Sequence, residues 1–466
     1  MFRLNKNEKI IFWASIAVKL VFFVFIGSIF GWHQPFSQIQ SDGYLPRAEN
    51  IFYHHVFSSD ATPPYRLESM STPGYPLFLA TTAVPFGTVI FALLIQIFLV
   101  SYAAVLFFAS LKGLLPFKAA FLGGVIFAIE PWNAYSANSV LSESLFLFFL
   151  ILGWYLAKLA YQNLNPRDFF FAGLSLGLAA FLRPIGLYLL PLGALWLLIL
   201  LFKKIGARKM IFYAGLFLVG GYLIIGAWSL RNLKELGTYS FATKGPHTLY
   251  FYNVEQLLVF EKHISAGEAD EFLYDRAKKD FPDLRSKEEL NDVKYGPYLT
   301  HESLAIISQY KKDYLKLQIL SMGTFFFSDG YRLLASELGV HLGALPNITY
   351  LIFHHEFQTL FLYLKSDALT AILFFTGLVF WGLCSILAFL SFPLAFLRRD
   401  SRAAKMTILI LLSIIFYFAV LTGPVAQARY RVPITPFLFV LAAYSVIKLK
   451  ENRHQVESDN ILYYPN

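Results

Sequence analysis

Apolar runs of about twenty residues recur along this chain, separated by short polar stretches, and each is long enough to cross roughly 30 Å of hydrocarbon as a helix. The pattern predicts spans at 10–30, 88–111, 118–134, 141–161, 169–183, 185–202, 209–228, 368–396, 405–423 and 430–447. The stretches "LKGLLPFK", the turn holding Lys158 and Arg167, "KKIGARK", "LRRDSRAAK" and the tail "KLKENRH" are basic. This threading puts all of them on the side of the N-terminus, and the excess of positive charge marks that side as cytoplasmic. One place decides the parity. Residues 169–202 form a single apolar run that would be about 51 Å long as one helix, too long for a bilayer even when tilted. It is broken only at Arg183-Pro184, and proline disfavours helical backbone at the residue before it. Two helices turning at "FLRPIG" are therefore predicted, with Arg183 at the outer surface.

Two longer stretches, 31–87 and 228–367, then face away from the cytoplasm. The second carries charge every few positions and is predicted to fold as a small α-rich domain, with a capping box at Ser286 and Glu289 starting one of its helices. Its apolar pieces "YLKLQILSMGTFFF" and "ITYLIFHHEFQTLFLYL" are predicted to lie in the interface or dip into the membrane, which brings the count to ten to twelve spans. The expected fold class is an all-α polytopic membrane protein. The expected organisation is 1–227 as an N-terminal membrane module including the outer loop 31–87, 228–367 as the outer domain, and 368–466 as the C-terminal spans and tail. The first run follows Arg3, Lys6 and Lys9 and precedes no small-x-small cleavage pattern, so it reads as a retained signal anchor.

Composition agrees with a multi-pass chain. Of 466 residues, 57% are hydrophobic and only 15% charged, against about 25% charged in ordinary soluble domains. The net charge of +9 lies in the short clusters between apolar runs, which reports topology and excludes a nucleic-acid-binding module. Cys384 is the single cysteine, so neither an intrachain disulfide nor a cysteine metal site is available. His54-His55 and the "HHE" at 354–356 have partial metal-ligand character. Adjacent histidines do not easily share one ion, so packing is the preferred explanation and no metal ligand is assigned, with a divalent cofactor left open.

The threading gathers the unusual polar residues on the outer side. Asp42 and Arg47 are in the first outer loop, Glu130 and Glu143 flank the turn "EPWNAYSANSVLSES", Arg183 is at the helix break, Arg231 follows "WSL", and Arg429 and Arg431 open the last span in "ARYRVP". An aspartate after a span is commonly a cap, arginines at span ends commonly snorkel, and Glu143 can simply favour a helix N-terminus. Repeated arginines on the side where basic residues are disfavoured instead suggest an anionic ligand. Nucleotide sugars are cytoplasmic, so a sugar delivered outside arrives on a lipid phosphate. A carboxylate can take the acceptor's proton and guanidinium forks can hold the departing phosphate.

At these residues the sequence resembles membrane glycosyltransferases of GT-C architecture, of the protein O-mannosyltransferase and aminoarabinose-transferase kind. The matching pieces are "SDGYLPRAENI", "STPGYPLFLA", "LSESLFLFFLILGWYLA", "GLAAFLRPIGLYLLPL", "AWSLRNLKELGTYSF" and "QARYRVPITPFLFVLAAYSV", in the family's order and over nearly the whole chain. The resemblance implies an inverting transfer from a polyprenyl-phosphate sugar to a lipid, glycan or protein acceptor at the outer face of a bacterial plasma membrane. It makes Asp42 the catalytic base, and Glu143 matches an acid of related bacterial members at the start of the fourth span, which either orients a sugar or caps that helix. Taken with the outer-face arginines, the reading expects Arg183, Arg231, Arg429 and Arg431 at the donor phosphate, and Arg47, Tyr44, Tyr75 and Tyr430 in substrate binding. The chain departs from the family twice, with Gly43 where mannosyltransferases carry a second acid and Ser71-Thr72 where aminoarabinose transferases carry a lysine. A lipid-linked sugar flippase, an oligosaccharide polymerase or ligase, and a non-catalytic assembly protein stay open as alternatives.

Overall fold

The computed structural model describes residues 4–32, 43–328, 330–340, 342, 351, 356–425 and 428–461, without the side chains of 366 and of 452 onward. Eight helices among the described residues are long and apolar enough to cross a membrane, and the chain is built as an integral membrane protein. The remaining two of the ten predicted spans form shorter helices, Phe117–Ile129 and Pro166–Leu182. In chain order the membrane helices are α1 (Lys6–Phe30), α2 (Ile90–Leu111), α3 (Phe117–Ile129), α4 (Glu143–Asn163), α5 (Pro166–Leu182), α6 (Leu189–Leu201), α7 (Ala207–Leu236), α8 (Ala368–Leu397), α9 (Arg402–Thr422) and α10 (Thr435–Ile461).

Short connections make sequential helices antiparallel, so the basic stretches collect at one end of the bundle. Side chains tie that end together. Lys112 pairs with Glu8 at 2.6 Å, Lys158 donates to the carbonyls of Ala109 and Lys112, Lys204 donates to that of Tyr161, and Lys448 pairs with Asp400. The predicted break is present. Arg183 is extended at φ −144° and ψ 126°, and a short turn Pro184–Gly186 leads into α6.

Helix α5 packs closely on α7 because glycine removes the side chains between them. A Cβ at Gly173 would lie 1.8 Å from the carbonyl oxygen of Phe217, and one at Gly177 would lie 2.3 Å from that of Gly221. Small residues four apart allow this backbone approach, which lets dispersion contacts hold two apolar helices together where lipid offers no hydrophobic drive. The α5–α7 pair fixes where Arg183 and Arg231, both at the far end from the basic loops, stand in the bundle.

Outside the bundle, a second hydrophobic core gathers Tyr250, Leu257, Leu273, Leu290, Leu299 and Leu317 from short helices between residues 250 and 317. The predicted capping box at Ser286 does not form. Ser286 makes no side-chain cap, the segment is a single turn, Lys287–Asn291, and the chain is capped afresh at Asp292, whose carboxylate accepts from the Lys294 N–H. A capping box does form at Ser265 and Glu268, where fifteen helical residues follow, Ala266–Asp280. Helix α7 runs through residue 228, so the approach to this region is a continuous helix ending at Gly237 in the left-handed conformation.

This outer core carries two opposed titrations. Burial, then Lys287 and Lys244, hold the His247 imidazole down to about 4, while burial and Asp270 push the Glu255 carboxyl up to about 7. The lowered histidine contributes stability that is present above pH 6.5 and lost as pH falls toward 4. The raised carboxyl contributes stability that is present below pH 4.5 and lost as pH rises through 7. The two windows overlap, so each offsets the other in the parent protein. Relative to the parent, His247→Gln should make the melting temperature fall as pH rises from 4.5 to 7, and Glu255→Gln should make it fall as pH drops from 6.5 to 4. Both side chains are partly exposed, and solvent screening keeps each effect near roughly 1 kcal/mol, a shift of a few °C. Parallel melting curves for parent and variants would show that the two groups do not act on stability.

Candidate functional site

At the end of the bundle opposite the basic loops, the start of α4, the end of α5 and the approach to α10 converge. The "LSES" motif places Glu143 in the first turn of α4, only 1% exposed. Proline 184 forces Arg183 out of helical backbone, and its side chain reaches Glu143, Nη1 to Oε1 at 2.6 Å. The segment Ala428–Ile434 is a run of tight turns before α10, and from it Arg429 Nε reaches the same oxygen at 2.5 Å. Two guanidinium groups from separate elements thus close on one buried carboxylate. Charge-assisted hydrogen bonds of this kind are short and strong, and a buried carboxylate needs such partners. Among the described residues, buried Glu143 Oε2 has no hydrogen-bond partner, and Arg183 Nε and Nη2 make no hydrogen bond.

The first outer loop leans on this cluster. Helix Tyr44–Glu49 begins after Gly43, which is left-handed at φ 67°. A Cβ at Gly43 would also lie 2.9 Å from Arg47 Nη1, which donates to the Gly43 carbonyl at 2.7 Å. Glycine at this position, where the mannosyltransferase pattern has an acid, is what that turn demands. The Tyr44 hydroxyl lies 3.1 Å from Ser142 Oγ, which also receives Arg183 Nη1 at 3.4 Å. Tyr44 packs edge-on against Tyr75, and the buried Tyr75 hydroxyl donates to Gln96 at 2.7 Å. Tyr75 itself is held by the "STPGYP" motif, because Thr72 donates to the Leu182 carbonyl at 2.9 Å and a Cβ on Gly74 would lie 2.5 Å from the Phe181 carbonyl oxygen. The proline motif of the first loop therefore sits directly on the helix end that carries Arg183.

The other predicted residues fall elsewhere. Arg47 pairs with Glu68, with Nη2 3.1 Å from Oε2. Arg231 donates to the Glu68 carbonyl at 3.2 Å and to Asn232, its guanidinium over the Trp228 ring at 4.8 Å, so it belongs with Arg47 and Glu68 and not with Glu143. Arg431 is buried, donates to the carbonyls of Phe325 and Ser328 at 3.1 and 2.8 Å, and stacks on Trp381, bonds that hold the C-terminal end of helix Lys311–Phe327. Tyr430 packs partly buried against the main core. Asp42 and the histidines of "HHE" lie outside the described residues. His54 bonds and stacks with Tyr65.

Glu130 and Glu143 flank the same turn but do different things. Glu130 caps the helix Pro131–Ala137, accepting from the Asn133 N–H at 2.8 Å and from its side chain at 2.9 Å. That segment, a short outer turn by sequence, is buried from Trp132 through Ser142. Lys19, buried within α1, donates to Ser15 at 2.7 Å and to the Ala128 carbonyl at 3.3 Å, which ties α1 to α3. Ser142 and Gln96 were not singled out by sequence. Ser142 precedes Glu143 in "LSES", and Gln96 is an uncharged polar residue inside an apolar run, the one signal that could have found it.

No protein-family description matches the chain, and no curated protein matches it. Among solved structures it is similar to the Archaeoglobus fulgidus oligosaccharyltransferase in its apo form, at 16% identity and a TM-score of 0.46, with 97% of this chain and 52% of that one covered. It is also similar to the archaeal oligosaccharyltransferase AglB from the same organism in complex with an inhibitory peptide and a dolichol-phosphate, at 13% identity and a TM-score of 0.48, with the same coverage. The chain thus spans about half the length of these archaeal proteins. Overlays this loose transfer no residue and no activity.

Proposed function

We propose that this chain is an integral membrane glycosyltransferase of GT-C architecture, taking a sugar from a polyprenyl-phosphate donor at the extracytoplasmic face of the plasma membrane. The observation that carries the reading is the convergence of Arg183 and Arg429 on buried Glu143, at the bundle end away from the basic loops and against the helix that follows Asp42. Guanidinium groups preset in a water-poor site suit a leaving phosphate, because its charge grows as the bond breaks and the donors need not reorganise.

In the proposed reaction an acceptor hydroxyl oxygen attacks the anomeric carbon, and the bond from that carbon to the phosphate oxygen breaks on the opposite side. The hydroxyl proton passes to Asp42, and polyprenyl phosphate departs as an anion toward Arg183 and Arg429. Single displacement inverts the anomeric configuration. In this reading Glu143 Oε2, which has no hydrogen-bond partner among the described residues, accepts from a sugar hydroxyl once donor binding opens the cluster, while its Oε1 keeps the two arginines in register.

Purified protein in liposomes, given a polyprenyl phosphate carrying a radiolabelled sugar and a hydroxyl acceptor, should release free polyprenyl phosphate and labelled product in equal amounts. Movement of intact donor between leaflets without release would make the chain a flippase and overturn the reading.

A further inference from the structure

A second site lies at the other end of the bundle. Helices α4, α5, α6, α7 and α9 enclose an apolar groove of about 570 Å³ that runs from Leu150 and Leu189 toward the basic loops. That volume is within the range of about 300–1,000 Å³ typical of small-ligand sites. Its walls are mostly aliphatic, with the rings of Tyr161 and Phe217 and two indoles, Trp154 and Trp196, each indole fixed by a hydrogen bond, to Ser110 at 2.8 Å and Ser413 at 2.9 Å. Its basic end carries Lys158, Lys203, Lys204 and Arg402, and no carboxylate lines it. Lys158 and Lys204 are already oriented by backbone carbonyls, and Lys203 and Arg402 have no ion-pair partner among the described residues.

We propose that this groove is a binding site for an anionic glycerophospholipid, with an acyl chain between the helices and the headgroup phosphate among Lys158, Lys203, Lys204 and Arg402. An apolar slot within the membrane fills with hydrocarbon, and only a negative headgroup satisfies four cations at its mouth. Lysines that merely snorkel would ring the bundle, whereas these come from three separate connections, in α4, after α6 and at the start of α9, and meet at one opening.

The two tryptophans supply the readout. With the protein in nanodiscs of neutral lipid, brominated phosphatidylglycerol should quench their fluorescence well beyond brominated phosphatidylcholine at equal mole fraction. The excess should vanish in Trp154→Phe/Trp196→Phe. Each of Lys203→Gln and Arg402→Gln should lower the relative affinity for phosphatidylglycerol by about fivefold. Both side chains are exposed, so these variants should fold, and unchanged melting checks that. Equal quenching by the two lipids would overturn the proposal in favour of ordinary bilayer contact. Displacement of phosphatidylglycerol by stoichiometric polyprenyl phosphate would overturn it in favour of a channel for that lipid's tail.

Discussion

Asp42→Asn should slow sugar transfer by about two to four orders of magnitude, the usual cost of removing a general base, while leaving donor binding intact. Asparagine keeps the shape and the hydrogen-bonding reach of aspartate but takes no proton at neutral pH. The residue immediately precedes Gly43, whose left-handed turn and carbonyl bond from Arg47 anchor the start of the helix that brings Tyr44 to Ser142. In-line displacement requires base and leaving phosphate on opposite sides of the anomeric carbon. The pairing of Arg47 with Glu68 agrees with that geometry, since it leaves Arg47 bracing the loop. Single-turnover transfer and donor binding, measured on the same purified variant, decide the matter. Near-normal transfer removes Asp42 from the mechanism, and loss of donor binding along with transfer makes the residue structural.

The membrane helices were legible because each is written as an uninterrupted apolar run, and the break at Arg183-Pro184 because proline restricts its predecessor whatever surrounds it. That Arg183 and Arg231 stand at the end of the bundle away from the basic loops followed from the same threading. What could not be read was partner choice. Arg183, Arg231, Arg429 and Arg431 look alike in sequence, each an arginine at a span end, yet two share Glu143, one stacks on Trp228 and one ties off helix carbonyls. Those differences depend on which helix ends meet in space. The close α5–α7 contact had a readable signal in Gly173 and Gly177, four residues apart. The capping box at Ser286 failed for a local reason. Its sequence fits a helix start, but the chain turns again at Asp292 before a second helical turn can reward the cap.

Geometry also moves the weight of the proposed phosphate site from Arg429 to Arg183. Arg429 commits its Nε to Glu143, whereas Arg183 commits one terminal nitrogen and keeps Nε and Nη2 without a described partner. Arg183→Ala should therefore lower donor turnover by about two to three orders of magnitude, comparable to losing one donor to a developing oxyanion. Arg183→Lys should recover only part of that loss. A lysine ammonium is a single point, so it can hold Glu143 Oε1 or reach the donor phosphate, but it lacks the fork that does both. Glu143→Gln should resemble Arg183→Lys in turnover, since a neutral amide no longer fixes either guanidinium, and it should also raise KM if Oε2 accepts from the sugar. A purely structural role predicts something else: lower melting temperatures with unchanged kcat and KM for the protein that stays folded. Full activity in Arg183→Lys would mean that charge alone suffices, and full activity in Arg183→Ala would move the phosphate away from this cluster altogether.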